Sequence, residues 1–268
     1  VNIQTIPRSD KVVKAAFVPK LDAFLLADYP SIEMKVLAFY LDSLGWPEMG
    51  ELYRRGGDLY RESVAAMFGK APEDLADEER QVGKVLNLST VYGGGVNTIM
   101  EQLNVDAPTA FQFVKGYHRK WPGIGWDSKR HPAPPGTFNH AIKLQLAERA
   151  KTAPDGRGWI ETLYGRHLHP KAMHAAINNL CQGCAADLMK WAMVRVEDGL
   201  AAGGFQSHIV NMVHDELMFD CPAGEVAALA RLVPEWMTDP RIEAVVPIRP
   251  SCEISYTTWA DKVDYEEA

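Results

Sequence analysis

Apolar and polar positions alternate along this chain with two periods. The helical one dominates: Met34, Leu37, Ala38 and Leu41 recur at three- and four-residue spacing, which predicts a helix over 31–44 with Ser31 available to cap it. The same spacing predicts helices over 58–68, 78–91, 109–120, 139–150, 174–200 and 224–236. Short apolar runs read instead as strands. Phe24 to Ala27 ends abruptly at Asp28, as a buried central strand does, and 208–213 with 217–221 reads as a hairpin whose turn holds His214, Asp215 and Glu216. Residues 1–19 read as a loop and strand leading in, Gly45, Trp46 and Pro47 end the first helix, and the prolines at 122, 132, 134 and 135 make 123–136 a long irregular loop. The pattern is α+β, without internal repeat or low-complexity tract.

Composition narrows the class. With 268 residues, 47% hydrophobic and 24% charged, the chain can bury a sizeable core, which excludes disorder and small disulfide scaffolds. Uninterrupted apolar runs fall far short of the roughly 20 residues of a membrane helix, and no secretory signal is visible, so no membrane association is expected. Four cysteines point to a reducing compartment, with the cytoplasm as the expected location. The net charge of −7 argues against nonspecific coating of nucleic acid, but it hides an asymmetry. Between Phe111 and Lys171 there are eleven Lys and Arg against four acids. Aromatic residues such as Tyr117, Trp121 and Trp159 interleave with these cations, a mixture that suits phosphates and stacked bases as well as it suits a solvated basic face.

Three segments carry candidate chemistry. In Asp28-Tyr29-Pro30-Ser31-Ile32-Glu33, an acid stands at the carboxyl end of a buried strand and a second opens a helix; a strand-to-helix cap is the alternative. In the segment from Arg80 to Gly93, the residues Arg80, Lys84, Leu88 and Tyr92 are spaced by four and form one stripe on a helix. Such a stripe can hold a triphosphate at its basic end and a base and sugar at the other, or be the charged edge of an amphipathic helix. In Val213-His214-Asp215-Glu216-Leu217, acids sit at a tight turn, where polar residues are expected in any case. If Asp28 and Asp215 lie on neighbouring strands, their carboxylates can share two Mg²⁺ ions about 3.5–4 Å apart, the arrangement used for in-line phosphoryl transfer. Oxygen-only ligands favour Mg²⁺, with Mn²⁺ able to substitute, over zinc.

In order and separation these segments resemble motifs A, B and C of family A DNA polymerases. Further segments are similar too: Asn2 to Pro7, Gly158 to Arg166, Ala176 to Asp187, and Trp259 near the end, so the resemblance covers nearly the whole chain. It implies an antiparallel palm sheet with a helical fingers subdomain: 1–57 as the first part of the palm, 58–126 as fingers, and 127–268 as the return to the palm with a minor-groove helix and the motif C hairpin. It implies DNA-directed DNA synthesis, with primer-template DNA and deoxynucleoside triphosphates as partners. Asp28, Asp215 and the Tyr29 carbonyl would hold the two metal ions. Arg80 and Lys84 would grip the β- and γ-phosphates, with Lys84 also protonating pyrophosphate. Leu88, Tyr92, Glu33, Tyr60 and Ser31 would surround the nucleotide, Glu33 as the gate against a ribose 2′-hydroxyl. Gln4, Arg166, Asn178, Gln182, His214 and Glu216 would contact DNA, with Glu216 supporting the site without being an essential metal ligand.

Departures from the family pattern define further expectations. Leu88 stands where Phe or Tyr is usual, Pro30-Ser31 replaces Ser-Gln, and Tyr60 replaces a His that meets a phosphate. Cys181 and Cys184 form a Cys-x-x-Cys without a second pair, which does not make a zinc site. Thumb and 3′–5′ exonuclease domains have no counterpart here, so a fragment or one half of a split enzyme is expected, with those parts on a separate chain or a missing N-terminal region. The divergence suggests a bacteriophage source, and then the host cytoplasm. A noncatalytic DNA-binding subunit and a single-subunit RNA polymerase are the rival readings, the latter disfavoured by Glu33.

Overall fold

The computed structural model describes residues 6, 10–127, 132–172 and 175–266. In chain order the elements are α1 (Lys11–Lys14), β1 (Ala23–Asp28), α2 (Ile32–Ser43), α3 (Glu48–Arg54), α4 (Leu59–Phe68), α5 (Asp77–Val91), α6 (Val96–Leu103), α7 (Ala107–Lys120) and α8 (Phe138–Thr152). There follow β2 (Ile160–Glu161), β3 (His167–Leu168), α9 (Ala176–Gly203), β4 (His208–Val213), β5 (Glu216–Cys221), α10 (Val226–Met237), α11 (Pro240–Glu243), β6 (Ser251–Ser255) and β7 (Val263–Asp264). The fold is α+β, and its described residues divide into two compact units: 1–32, 185–243 and 248–268 in one, 33–184 with 244–247 in the other.

The first unit is built on a five-stranded antiparallel sheet of order β4-β5-β1-β6-β7. Its centre is β1, whose residues Ala23 to Ala27 are all buried because strands and packed side chains enclose both faces. On one face Phe24, Leu26 and Met218 pack with Trp259, whose ring meets Phe17 edge-on at 5.6 Å. On the other, α10 packs against β1 through an apolar stripe that includes the fully buried Leu229 and Val233. Each such side chain contributes about 1.5–3 kcal/mol relative to exposure.

The second unit is helical. Its core joins α2 to α8 and the first part of α9, which passes into the sheet unit from Ala185 onward. Close approach of α4 and α5 depends on Gly83, where a methyl group would overlap the Tyr60 carbonyl. A buried polar network ties α4, α5 and α7 together. Asn87 Nδ2 donates to Ser63 Oγ at 2.8 Å, Tyr117 donates to Asn87 Oδ1 at 3.0 Å, and Trp121 Nε1 donates to Ser63 Oγ at 2.9 Å. Satisfied in this way, the buried amide fixes helix register without an orphaned dipole.

Several expectations change. Among the described residues of 1–19 there is a short helix, α1, and no strand. Gly45 to Pro47 end α2 as expected, but α3 and α6 arise where the sequence suggests only breaks, α6 immediately after Gly93 to Gly95. Glu216 is not in the hairpin turn: it is the first residue of β5 and is buried. Ser31 has φ 56°, whereas a capping serine is ordinarily extended. The expected helix start at His174 and part of the 123–136 loop fall outside the described residues.

Candidate active site

In the sheet unit, strand register brings two distant acids to one place. Asp28 closes β1 directly opposite Glu216, and the Tyr29 amide donates to the Asp215 carbonyl at 3.1 Å. β4 and β5 pair down to Val213↔Glu216, so His214 and Asp215 alone form the turn. His214 takes φ 57°, the left-handed conformation a tight two-residue reversal requires at its first position. His214 is exposed, while Asp28 and Asp215 are half-buried. Tyr29 is anchored from below: its ring is fully buried, its hydroxyl donates to the Met237 carbonyl, and burial with Asp239 nearby pushes the phenol far above its usual range. The end of β1 is thereby pinned at both its backbone and its side chain.

Glu216 meets a cation that sequence reasoning did not single out. Lys262 Nζ lies 2.6 Å from Glu216 Oε2 and 2.5 Å from Glu253 Oε2. Burial works against the ammonium, but the two carboxylates outweigh it and hold the lysine above its usual pKa.

In the helical unit, α5 presents the predicted stripe. Asp58 caps α4 by accepting from the Tyr60 and Arg61 amides at 2.9 and 3.1 Å, and its other oxygen takes Arg80 Nε at 2.6 Å. Burial alone would raise this carboxyl, yet Arg80 and the two amides bring it below the ordinary aspartate value. The Arg80 guanidinium also lies 5.1 Å from the centre of the Tyr60 ring. Arg80 is thus oriented by Asp58 and Tyr60 together. One face of α5 borders an open cavity of about 690 Å³, lined in part by Gln81, Lys84, Leu88, Tyr92 and Gly94.

At the C-terminal end of α5, three predicted residues from separate segments meet around one hydroxyl. Tyr92 donates to Glu33 Oε2 at 3.0 Å and accepts from Gln182 Nε2 at 3.1 Å. Burial, then the Glu33 charge, raises the Tyr92 phenol pKa. Arg166 Nη2 donates to the Gly183 carbonyl at 2.6 Å, which ties it to α9. The amide oxygen of Asn178 is buried without a hydrogen-bond partner among the described residues. Gln4 lies outside the described residues, and Ser31 is half-buried at the entry to α2. No group of three or more His, Cys, Asp and Glu side chains is arranged to hold a metal ion among the described residues. No described helix is long and apolar enough to cross a membrane.

The sequence profile of DNA polymerase family A matches residues 1–261. The chain belongs to DNA polymerase family A. Among similar proteins, DNA polymerase I of Streptococcus pneumoniae serotype 4 is 27% identical over 92% of this chain and 28% of its own length. DNA polymerase I of Geobacillus stearothermophilus is 28% identical over 97% of this chain and 29% of its own length. The chain therefore spans under a third of these relatives. A solved structure, the POL domain of Pol1 from M. smegmatis in complex with DNA primer-template and dNTP, shares the fold at a TM-score of 0.77 and 24% identity, over 97% of this chain and 44% of that one.

Proposed function

We propose that this family A chain carries out template-directed DNA synthesis, adding deoxynucleotides to a primer 3′ end with release of pyrophosphate. The observation that carries the reading is the pairing of β1 with β5, which sets Asp28 and the Asp215 turn at the same end of adjacent strands. The family match and the fold shared with a polymerase domain solved with primer-template and dNTP support it. On this reading the sheet unit belongs to the palm, and residues 58–126 of the helical unit are the fingers.

The donor set fits hard divalent cations. The Asp28 and Asp215 carboxylates and the Tyr29 carbonyl are all oxygen ligands, which suits Mg²⁺ or Mn²⁺, and Mg²⁺ is commonly held by one or two carboxylates with substrate phosphates completing the shell. When bound, such ions favour the ionised primer hydroxyl and neutralise charge on the triphosphate. Arg80, pre-aimed by Asp58 and Tyr60, and Lys84 bind the β- and γ-phosphates, and Lys84 delivers a proton to the departing pyrophosphate. Glu33, held by Tyr92, closes the space that a ribose 2′-hydroxyl would need. Asn178, Gln182, Arg166 and His214 contact the primer and template, chiefly in the minor groove, where acceptors shared by all base pairs report shape and not sequence. Toward those acceptors Asn178 would present its amide Nδ2, which donates, since its buried oxygen only accepts.

Primer extension tests the assignment. Asp28→Ala and Asp215→Ala are each expected to abolish extension while leaving primer-template binding within about threefold, because the contacts that grip DNA lie elsewhere. Near-normal extension by either variant would overturn the two-metal reading.

A further inference from the structure

Acidic side chains crowd one face of the sheet around Asp28. Directly paired residues project to the same side, as do residues two apart along a strand. Asp28 pairs with Glu216, and Leu26, two residues earlier, pairs with Glu253, so Asp28, Glu216 and Glu253 share a face. Glu216 and Glu253 therefore flank β1 from its two neighbours. Lys262 joins them, so the bridge crosses β1 between the Asp28 and Leu26 rows. The lysine is delivered by the start of β7, which pairs with β6 through Glu253↔Asp264 and Ile254↔Val263, and whose continuation is fixed where the Tyr265 amide donates to the Cys252 carbonyl at 2.9 Å. Lys262 lies one residue beyond the segment that matches the family profile.

Without a cation there, Glu216 and Glu253 would stand as uncompensated acids on the small, partly buried surface that also carries Asp28. A divalent ion entering such a surface has no reason to prefer one pair. We propose that Lys262 is a positioning residue, an internal counter-cation that withholds Glu216 and Glu253 from divalent metal and leaves Asp28 and Asp215 as the pair that receives it. The inference rests on the reading of Asp28 and Asp215 as metal ligands. It explains why Glu216, adjacent to one of those acids in sequence and opposite the other in register, is itself buried in an ion pair.

Binding of Mn²⁺ to the DNA-free protein, counted from the loss of the free-ion electron paramagnetic resonance signal, reads the effect without turnover. Lys262→Met is expected to bind an additional Mn²⁺, or to bind its first about tenfold more tightly, because one screening charge has been removed. Lys262→Arg is expected to keep wild-type binding. Adding Glu216→Gln and Glu253→Gln to Lys262→Met is expected to return binding to the wild-type level. If Lys262→Met does not fold, Lys262→Gln carries the same expectation, since it retains a hydrogen-bond donor between the carboxylates but no charge. Wild-type Mn²⁺ binding in a folded Lys262→Met or Lys262→Gln protein overturns the proposal, as does an extra ion that survives both glutamine substitutions. Asp28→Ala separates the two levels: persistence of the wild-type Mn²⁺ site in that variant defeats the two-metal reading, whereas the lysine's role is judged from the Lys262 variants.

Discussion

Leu88 lines the cavity beside α5, one turn before Tyr92. On the proposed function, an aromatic ring in place of this branched aliphatic side chain would reshape the space left for the sugar of an incoming nucleotide. Leu88→Phe is expected to change the ratio of dideoxy- to deoxynucleotide incorporation by about tenfold or more, the equivalent of 1.4 kcal/mol in discrimination. Competitive primer extension measures that ratio, and an unchanged value would make Leu88 a packing residue. At this scale the sequence is informative about residues whose chemistry is aimed outward: Asp28, Lys84 and Tyr92 are visible as strand-end and helix-stripe positions. It is silent about the partners that orient Arg80 and Glu216. Asp58 reads only as the first residue of a predicted helix, and nothing in the surroundings of Lys262 signals Glu216, because ion pairs between distant segments leave no trace in local spacing.

Among the elements, α5 depends on how closely it lies against α4. Gly83 permits that approach, and the Asn87–Ser63 bond and the Arg80–Asp58 pair cross the same contact. Gly83→Ala is therefore expected to destabilise the helical unit by about 1–3 kcal/mol through overpacking, and to weaken nucleotide binding by turning Arg80 away from Asp58. Denaturant unfolding and the KM for deoxynucleotides check the two halves of this expectation; no change in either would show that the helices part without consequence. The long helices were legible from a periodic apolar face, and β1 and the β4–β5 hairpin from short apolar runs that mark buried strands. The short elements α3, α6, β6 and β7 were not. Two to eight residues hold too few periods to declare a type, and β7 exists only through its pairing with β6.

For the whole molecule, acid stability carries a readable signature. His118 on α7 is half-buried with its Nδ1 shut away from solvent, stacked on Trp126 at 5.6 Å with the rings 3° from parallel, and desolvation pulls its pKa down to about 4. An imidazole kept neutral in the fold, with an unfolded value near 6.5, contributes stability that is full above that pH and is lost as pH falls through the folded value. His118→Phe, which keeps a ring against Trp126, is expected to flatten the decline between about pH 6.5 and 4 by up to about 3 kcal/mol. Urea unfolding at pH 7 and 4.5 measures it, and an equally steep decline in the variant would assign the acid limb to other groups. The pairing of β1 with β5 has a further consequence, in the time domain. The two strands are separated along the chain by residues 33–184 of the helical unit, so their contact closes a loop of well over a hundred residues before it is rewarded. If the inserted helices fold first, their compaction draws the loop ends together and lowers the entropy of that closure. The neighbouring aspartates then come into being as a pair only in the last stage of folding, so their juxtaposition arrives after the architecture that carries it.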